Sequence, residues 1–162
     1  MVRPSNESDL EAISRIYAHY VRHSTATFET EPPDTIEIGR RRAEIKQRNL
    51  PYLVAESNGS VVGYAYATQY RPRNAYRFTV EDSIYIHPEH VRNGFGKALI
   101  SALIDACTQS GARQMIAVIG GSDNAASIHL HDNFGFHHAG TLKSVGFKFE
   151  QWLDTILMQR SL

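Results

Sequence analysis

Cysteine is nearly absent, since Cys107 is the one such residue in 162. That excludes an internal disulfide framework and fits a reducing compartment. An excess of charge of one sign is missing too: 17 basic residues stand against 17 acidic ones, for a formal net charge of zero. This balance lends no support to generic nucleic-acid binding, so no nucleic-acid partner is expected. No apolar run approaches the roughly 18–20 residues of a membrane span, so no membrane partner is expected. The opening stretch MVRPSNESDLEA holds no apolar core of the secretory kind, and the expected home is the cytoplasm. Internal repeats and low-complexity segments are lacking as well. What is present is an ordinary apolar fraction and moderate charge, which argue against disorder. Residues 1–162 read as one domain, long enough to bury a real core.

The hydrophobic period changes along the chain. Met1 to Arg3 suit a short strand before Pro4. Ser8 with Glu11 reads as a capping box, and Leu10, Ile13, Ile16, Tyr17, Tyr20 and Val21 follow at helical spacing. The polar segment HSTATFETEPP is a loop, and Thr35 to about Arg48 a mostly surface helix whose basic face is expected to be solvated. From Pro51 the pattern is that of strands: 52–55, a Ser57-Asn58-Gly59-Ser60 turn, then 61–70 and 78–86. A helix follows over about 94–110, with Gly111 suited to end it. Then come a strand at 114–119, a helix at 124–133, and two late strands near 136–142 and 152–159. Antiparallel strands, then a β-α-β-α run, then strands predict an α/β protein with a mixed sheet and helices on its faces.

Residues 87–99, HPEHVRNGFGKAL, place Gly94 and Gly96 where a strand hands over to a helix. A helix N-terminus offers unpaired backbone N–H groups and a positive dipole end, and glycine lets backbone approach a ligand closely. Phosphate is the usual guest. The dipole contributes only about 0.3–2 kcal/mol, so several N–H contacts and the rest of the ligand must supply most of the affinity. Arg92 and Lys97 flank the loop and suit phosphate oxygens. A plain tight turn is the alternative. The P-loop pattern fails because Ala98 follows Lys97, and the dinucleotide fingerprint fails because Leu99 takes the third glycine position.

The stretch Val91-Arg92-Asn93-Gly94-Phe95-Gly96 resembles the acetyl-CoA loop of the GNAT acetyltransferases, [QR]xxGx[GA], with Val91 in place of the opening Gln or Arg. Asn124-Ala125-Ala126-Ser127, His131 and Gly135-Phe136 resemble that family's second landmark, where an Asn opens a helix and Gly-Phe closes it. Nearly the whole chain looks like the phosphinothricin acetyltransferase branch. The similarity runs through Thr25 to Pro32, Tyr70-Arg71-Pro72, Phe78 to Ile86, Val145 to Lys148 and Trp152-Leu153-Asp154. The resemblance implies the GNAT fold, a central, mostly antiparallel sheet flanked by helices, and a homodimer. It implies direct transfer of acetyl from acetyl-CoA to the α-amine of phosphinothricin, methionine sulfoximine or sulfone, or a related amino acid. It also implies that Arg92, Asn93, Gly94, Phe95, Gly96 and Lys97 wrap the pyrophosphate. Ile84, Tyr85 and Ile86 would pair with the pantetheine arm between strands that splay near Ile84 and Ile119, and Asn124 would bond that arm from the far side.

The chemistry needs a neutral amine. With an α-amine pKa near 8 or somewhat higher, deprotonation at neutral pH costs roughly 1–3 kcal/mol, whereas a lysine amine near 10.4 would cost almost 5. One modest base suffices, and Glu81, which interrupts an apolar strand, is the first candidate; the alternative is a solvent-facing carboxylate at a strand kink. His131 lies where many GNAT enzymes carry a tyrosine that protonates the departing thiolate. It is read as an acid, a substrate contact or a partly buried helix histidine. Tyr70, Arg71 and Pro72 are expected at the acceptor, with Arg71 holding a carboxylate or phosphinate by its donor fork. Phe28 and Lys148 are expected as pocket walls, of this subunit's pocket or of its partner's. Cys107 reads as a buried small hydrophobe. No histidine pair has zinc spacing: His129 and His131 diverge on a helix, His137 and His138 face opposite sides of a strand, and His87 and His90 share a loop with Glu89 alone. No metal is expected. Two rival functions remain, Nα-acetylation of peptide or protein termini and a non-catalytic CoA-binding module.

Overall fold

Strands dominate the middle and end of the chain because β-branched and aromatic residues there alternate between two faces that both become buried. The computed structural model describes residues 1–122 and 124–162. Its strands are β1 (Val2–Pro4), β2 (Tyr52–Ser57), β3 (Ser60–Gln69), β4 (Thr79–Ile86), β5 (Gln114–Gly120), β6 (His137–Lys148) and β7 (Gln151–Ser161). Its helices are α1 (Leu10–His23), α2 (Thr35–Gln47), α3 (Phe95–Gln109) and α4 (Ala125–Asn133). The strands form one seven-stranded sheet in the order β1-β2-β3-β4-β5-β7-β6. Among the described residues only the β4–β5 pairing is parallel, as expected of a β-α-β crossover through α3.

Each sheet face has its own core. Leu99, Leu103, Ile104 and Cys107 of α3 pack against Ala65, Val80, Ala117 and Met115 on one face. Ile13, Ile16, Tyr17 and Val21 of α1 with Ile38 and Ile45 of α2 pack against Tyr52, Val54, Tyr64 and Tyr85 on the other. Each fully buried large side chain contributes roughly 1.5–3 kcal/mol, so both helical layers are held by burial. The Asn58-Gly59 turn has positive φ at both residues, 48° and 75°, as a two-residue hairpin requires. Gly111 (φ 89°) follows the end of α3.

Three expectations are corrected. The N-terminal cap of the first helical segment is Asn6 with Asp9, not Ser8 with Glu11: Asp9 Oδ2 accepts from the Asn6 N–H at 2.8 Å. Asp9 is preferred because it also takes both arms of the Arg3 guanidinium, at 2.8 and 2.9 Å. The basic side of α2 is not uniformly solvated. Arg42 is buried and donates to Ser5 Oγ at 2.7 Å and to the Ser5 carbonyl. Arg41 pairs with Glu29 and Glu37, and Arg40 with Glu37 and Glu44. The late strands are longer than the alternation suggests. A register irregularity between Leu142 and Gly146, with Ser144 at φ 53°, breaks the period in the middle of β6. The β6–β7 turn is made by Phe149 and Glu150, both at positive φ, without the glycine or asparagine that normally marks such a turn.

Candidate active site

The centre of the molecule is a place where two neighbouring strands stop pairing. β4 and β5 are bonded from Thr79↔Gln114 to Asp82↔Ala117 and no further. β4 runs on to Ile86 while β5 stays with β7 through Ile119↔Ile156 and Gly120↔Thr155. The strands part beside Ile84 and Ile119, where the family resemblance implies a splay. Along Ser83–Ile86 the β4 edge facing β5 is left to a ligand, since a backbone edge without a strand partner seeks one. The Ile86 carbonyl already accepts from Tyr20 Oη at 2.6 Å and keeps one lone pair for a second donor.

The glycine loop sits above this opening. Gly94 is the N-cap of α3 at φ 83°, with no side-chain cap, and Arg92 is also at positive φ, 63°. The Ala98 N–H donates to the Gly94 carbonyl as the first helical bond, so the N–H groups of residues 95–97 point out of the helix end. A Cβ on Gly94 would meet nothing within 4 Å. Glycine is therefore needed there for its φ, and the space over it is open. Arg92, Asn93 and Lys97 are exposed. Phe95 turns its ring toward His90 and the α3-side core, leaving only its backbone to a ligand. On the other side of the opening, Asn124 caps α4, its Oδ1 accepting from the Ser127 N–H at 3.4 Å; its amide nitrogen stays available as a donor. Residues 92–97 and 124 thus flank one opening and suit a long ligand with an anionic end.

Alternation along β4 separates Glu81 from Asp82. Glu81 faces the α1–α2 side, opposite Thr68 on β3, and Asp82 faces the α3–α4 side. Burial raises the Glu81 carboxyl above the usual carboxylate range, the charge of Arg71 opposes this, and Asp82 adds to it. On the Glu81 side lies a cavity of about 330 Å³ whose lining includes Tyr17, Tyr52, Tyr64, Tyr66, Tyr70, Arg41, Arg48, Arg71 and Pro72. Tyr52 stacks on Tyr66 with centroids 5.0 Å apart, and the Arg71 guanidinium lies 4.5 Å over the Tyr70 ring. Of the acceptor residues expected from sequence, Tyr70, Arg71 and Pro72 line this cavity.

Phe28 and Lys148 do not. Phe28 rests on Gly120 and Gly146. The Lys148 ammonium is buried and donates to the Ser24 and Thr27 carbonyls at 2.7 Å each. Both belong to the anchoring of the 24–28 loop, which reaches the cavity through Thr27 Oγ1, 2.9 Å from Tyr17 Oη.

His131 is buried under the opposite face. Its Nε2 lies 2.9 Å from Asp82 Oδ2 and its Nδ1 2.7 Å from the Ser127 carbonyl. Burial alone would lower its pKa, but the hydrogen bond to Asp82 and the charge of that carboxylate together raise it. Cys107 is buried, and burial with the nearby Asp82 charge pushes its thiol up to about 12. It is not a thiolate at neutral pH and is unsuited to act as a nucleophile. Sequence reasoning missed Asp82 as the partner of His131, and Tyr17, Tyr52, Tyr64 and Tyr66 of the cavity. The period-two spacing of Tyr64 and Tyr66 was the available signal, since it puts both on one face. Among the described residues no group of three or more His, Cys, Asp and Glu side chains could hold a metal ion. No helix there is long and apolar enough to cross a membrane.

The chain matches the model of the acetyltransferase (GNAT) family over residues 13–136. It is 55% identical over 161 residues to a phosphinothricin N-acetyltransferase of Alcaligenes faecalis, covering 99% of this chain and 82% of that protein. It is 40% identical over 164 residues to the L-methionine sulfoximine/L-methionine sulfone acetyltransferase of Salmonella typhimurium, covering 99% and 94%. Its structure is similar to the crystal structure of a phosphinothricin acetyltransferase from Sinorhizobium meliloti in complex with acetyl-CoA. That match has a TM-score of 0.97 at 47% identity and covers 100% of this chain and 88% of that one.

Proposed function

The chain belongs to the GNAT acetyltransferase family, and from that premise we propose that it transfers acetyl from acetyl-CoA to the α-amine of phosphinothricin, methionine sulfoximine or sulfone, or a related amino acid. The observation that carries this reading is the juxtaposition of two spaces across β4. One is the strand opening under the Gly94 loop, and the other is the tyrosine- and arginine-lined cavity on the Glu81 face of the sheet, which reaches Thr68 opposite Glu81. The names of the relatives in Alcaligenes faecalis and Salmonella typhimurium support the acceptor class.

The residues present fit acetyl-CoA, which supplies an activated acetyl thioester. The N–H groups of residues 95–97, with Arg92 and Lys97, hold the pyrophosphate. The β4 edge at Ile84–Ile86 and the Asn124 amide hold the pantetheine arm. Arg71 holds the acceptor's carboxylate or phosphinate against the tyrosine wall. Glu81, made a stronger base by burial, takes the amine proton, a step that has to overcome only about 1–3 kcal/mol at neutral pH. His131 is engaged at both ring nitrogens, by Asp82 and by the Ser127 carbonyl, and holds α4 against β4. Cys107 takes no part, so the transfer is direct.

The same reading treats residues 1–162 as one cytoplasmic domain that works as a homodimer. Supporting the dimer, the β6–β7 hairpin exposes Leu142, Val145, Phe147, Phe149 and Trp152, the last 68% exposed, and the rings of Phe147 and Trp152 meet at 5.0 Å. Sedimentation of wild type and Trp152→Glu checks this, with a dimer expected only for the former.

The test of function is release of CoA thiol from acetyl-CoA with a panel of acceptors: phosphinothricin, methionine sulfoximine, methionine sulfone, common amino acids and a short peptide with a free N-terminus. Selective turnover of the first three is expected. Turnover of the peptide alone would replace the acceptor reading.

A further inference from the structure

The tyrosine-lined cavity carries more positive charge than one anionic group can answer. The charged side chains in its lining are Arg41, Glu44, Arg48 and Arg71. Arg41 is already paired with Glu29 and Glu37, and Glu44 with Arg40. The other two arginines meet no carboxylate among the described residues. Arg48 donates to Gln69 Oε1 at 3.2 Å, and the Arg71 guanidinium lies over the Tyr70 ring.

Gln69 joins the two. Its Oε1 accepts from Arg48, while its Nε2 donates to the Arg71 carbonyl at 2.6 Å and to the Arg73 carbonyl at 3.3 Å. One side chain thus ties the end of α2 to the segment that carries Arg71, at the rim of one cavity. The two guanidinium groups are not equivalent. Of the cavity's arginines, Arg71 alone acts on the Glu81 carboxyl, so it is the nearer to the base. In the open cavity, water solvates both cations. The space is only about 330 Å³, so an acceptor that enters displaces much of that water. A cation desolvated without a counter-charge is penalised, and one that gains an anion is not.

We propose that Arg48 is a specificity-determining residue: it receives an anionic group at the end of the acceptor's side chain while Arg71 holds the α-carboxylate, so the site favours acceptors with two anionic ends. The proposal rests on the acetyl-transfer reading above and divides its acceptors. Phosphinothricin carries a phosphinate besides its α-carboxylate, both ionised at neutral pH. Methionine sulfoximine and methionine sulfone carry an uncharged sulfur group at that end. A phosphinate shares its charge over two oxygens, which suits the fork of guanidinium donors. The stacked rings of Tyr52 and Tyr66 supply an apolar wall for the methylene groups between the two ends.

The wild type should show a kcat/KM for phosphinothricin at least about ten-fold above that for methionine sulfone, the effect of one charge-assisted pair. Arg48 is exposed at the end of α2, so its side chain can be exchanged without opening the core. Arg48→Met should cut that preference by about ten-fold or more, through the acceptor KM rather than kcat. Arg48→Lys, which keeps the charge and loses the fork, should retain part of it. A wild type without the preference, a preference that survives Arg48→Met, or an equal loss with both acceptors would overturn the proposal. Binding supplies a second arm that needs no turnover. Glutarate holds two carboxylates at the spacing of the two anions of phosphinothricin, and pentanoate holds one. Calorimetry on the full chain should find glutarate bound at least about ten-fold tighter than pentanoate, with the difference lost in Arg48→Met. Glutarate bound no tighter than pentanoate would overturn the proposal. A chain that turned over none of the acceptors would remove the transfer reading and leave the glutarate measurement to decide on Arg48.

Discussion

Phe28 lies across two glycines, and adding one methyl group beneath it separates a wall that can yield from one that cannot. A Cβ on Gly146 would press into the Phe28 ring, 2.7 Å from Cδ2 and 2.8 Å from Cζ, and all three of its nearest neighbours are ring atoms. A Cβ on Gly120 would also meet the ring, at 2.8 Å from Cε1, but its nearest neighbour is the Thr25 backbone carbonyl. Phe28 is 37% exposed. With about two-thirds of it buried, the ring's burial contributes roughly 1.5 kcal/mol. Swinging the ring out forfeits that amount, and it is the cheapest response to Gly146→Ala. The alternative, shifting β6, costs about 1–3 kcal/mol. Gly146→Ala should therefore cost roughly 1.5 kcal/mol, a fall of about 3–6 °C in melting temperature for a chain of this length. In a Phe28→Ala background the same substitution should cost less than about 0.5 kcal/mol, because nothing is left to displace. Gly120→Ala should not be relieved in that way, since a main-chain carbonyl cannot rotate aside. Melting curves of the single and double variants decide the matter. A Gly146→Ala penalty that persists without Phe28, or a Gly120→Ala penalty that vanishes with it, would refute the reasoning. If the 24–28 loop shapes the acceptor cavity through Thr27 and Tyr17, Gly146→Ala should also raise the acceptor KM and leave that for acetyl-CoA unchanged.

Glu81→Gln should lower turnover by about 10²–10³-fold, with the deficit shrinking as pH rises and free amine becomes abundant; an unchanged rate would remove Glu81 as the base. The wild-type rate should fall on the acid side through the raised Glu81 pKa, at higher pH than an exposed glutamate would give. Arg71→Ala should raise the acceptor KM by roughly 10–100-fold, the loss of a charge-assisted pair, with acetyl-CoA binding unaffected; a change confined to acetyl-CoA would misplace Arg71. Asp9, buried and held below the usual carboxylate range first by the Arg3 guanidinium, stabilises the fold above its unfolded pKa. That stability is lost as pH falls through the depressed folded value. Asp9→Asn should therefore be destabilised at neutral pH, by about 3 kcal/mol, and should converge on wild type in acid; a pH-independent difference in chemical denaturation would contradict this.

Local order was legible in the sequence wherever a short-range rule governs it. The helical repeat from Leu10 to Val21, the Asn58-Gly59 turn, the strand–glycine–helix passage through Gly94 and the stop at Gly111 each depend on residues within one turn of one another. These patterns also carried the family resemblance, and with it the residues around the strand opening. Misreadings arose where a distant partner overrode the local rule. Arg42 reads as a surface arginine on α2 and is buried because Ser5, 37 residues away, accepts its donors. Lys148 ties β6 to the 24–28 loop across more than 120 residues, a contact no local pattern reports. Ser144, Phe149 and Glu150 take positive φ without the usual residue types because pairing with β7 holds the hairpin.

The candidate site divides along the same line. Sequence by itself, through the family resemblance it carries, nominated residues for the chemistry: Glu81, His131, Arg71 and the backbone of the Gly94 loop. Only the tertiary structure decided how they meet. Adjacent strand residues point to opposite faces, so the pleat of β4 sends Glu81 to the sheet face that carries the tyrosine-lined cavity and Asp82 to His131, 49 residues further along the chain. The end of β4–β5 pairing at Asp82↔Ala117 then opens the sheet between them. Burial, which no local pattern reports, raises Glu81, and the Asp82 contact raises His131 against the effect of burial.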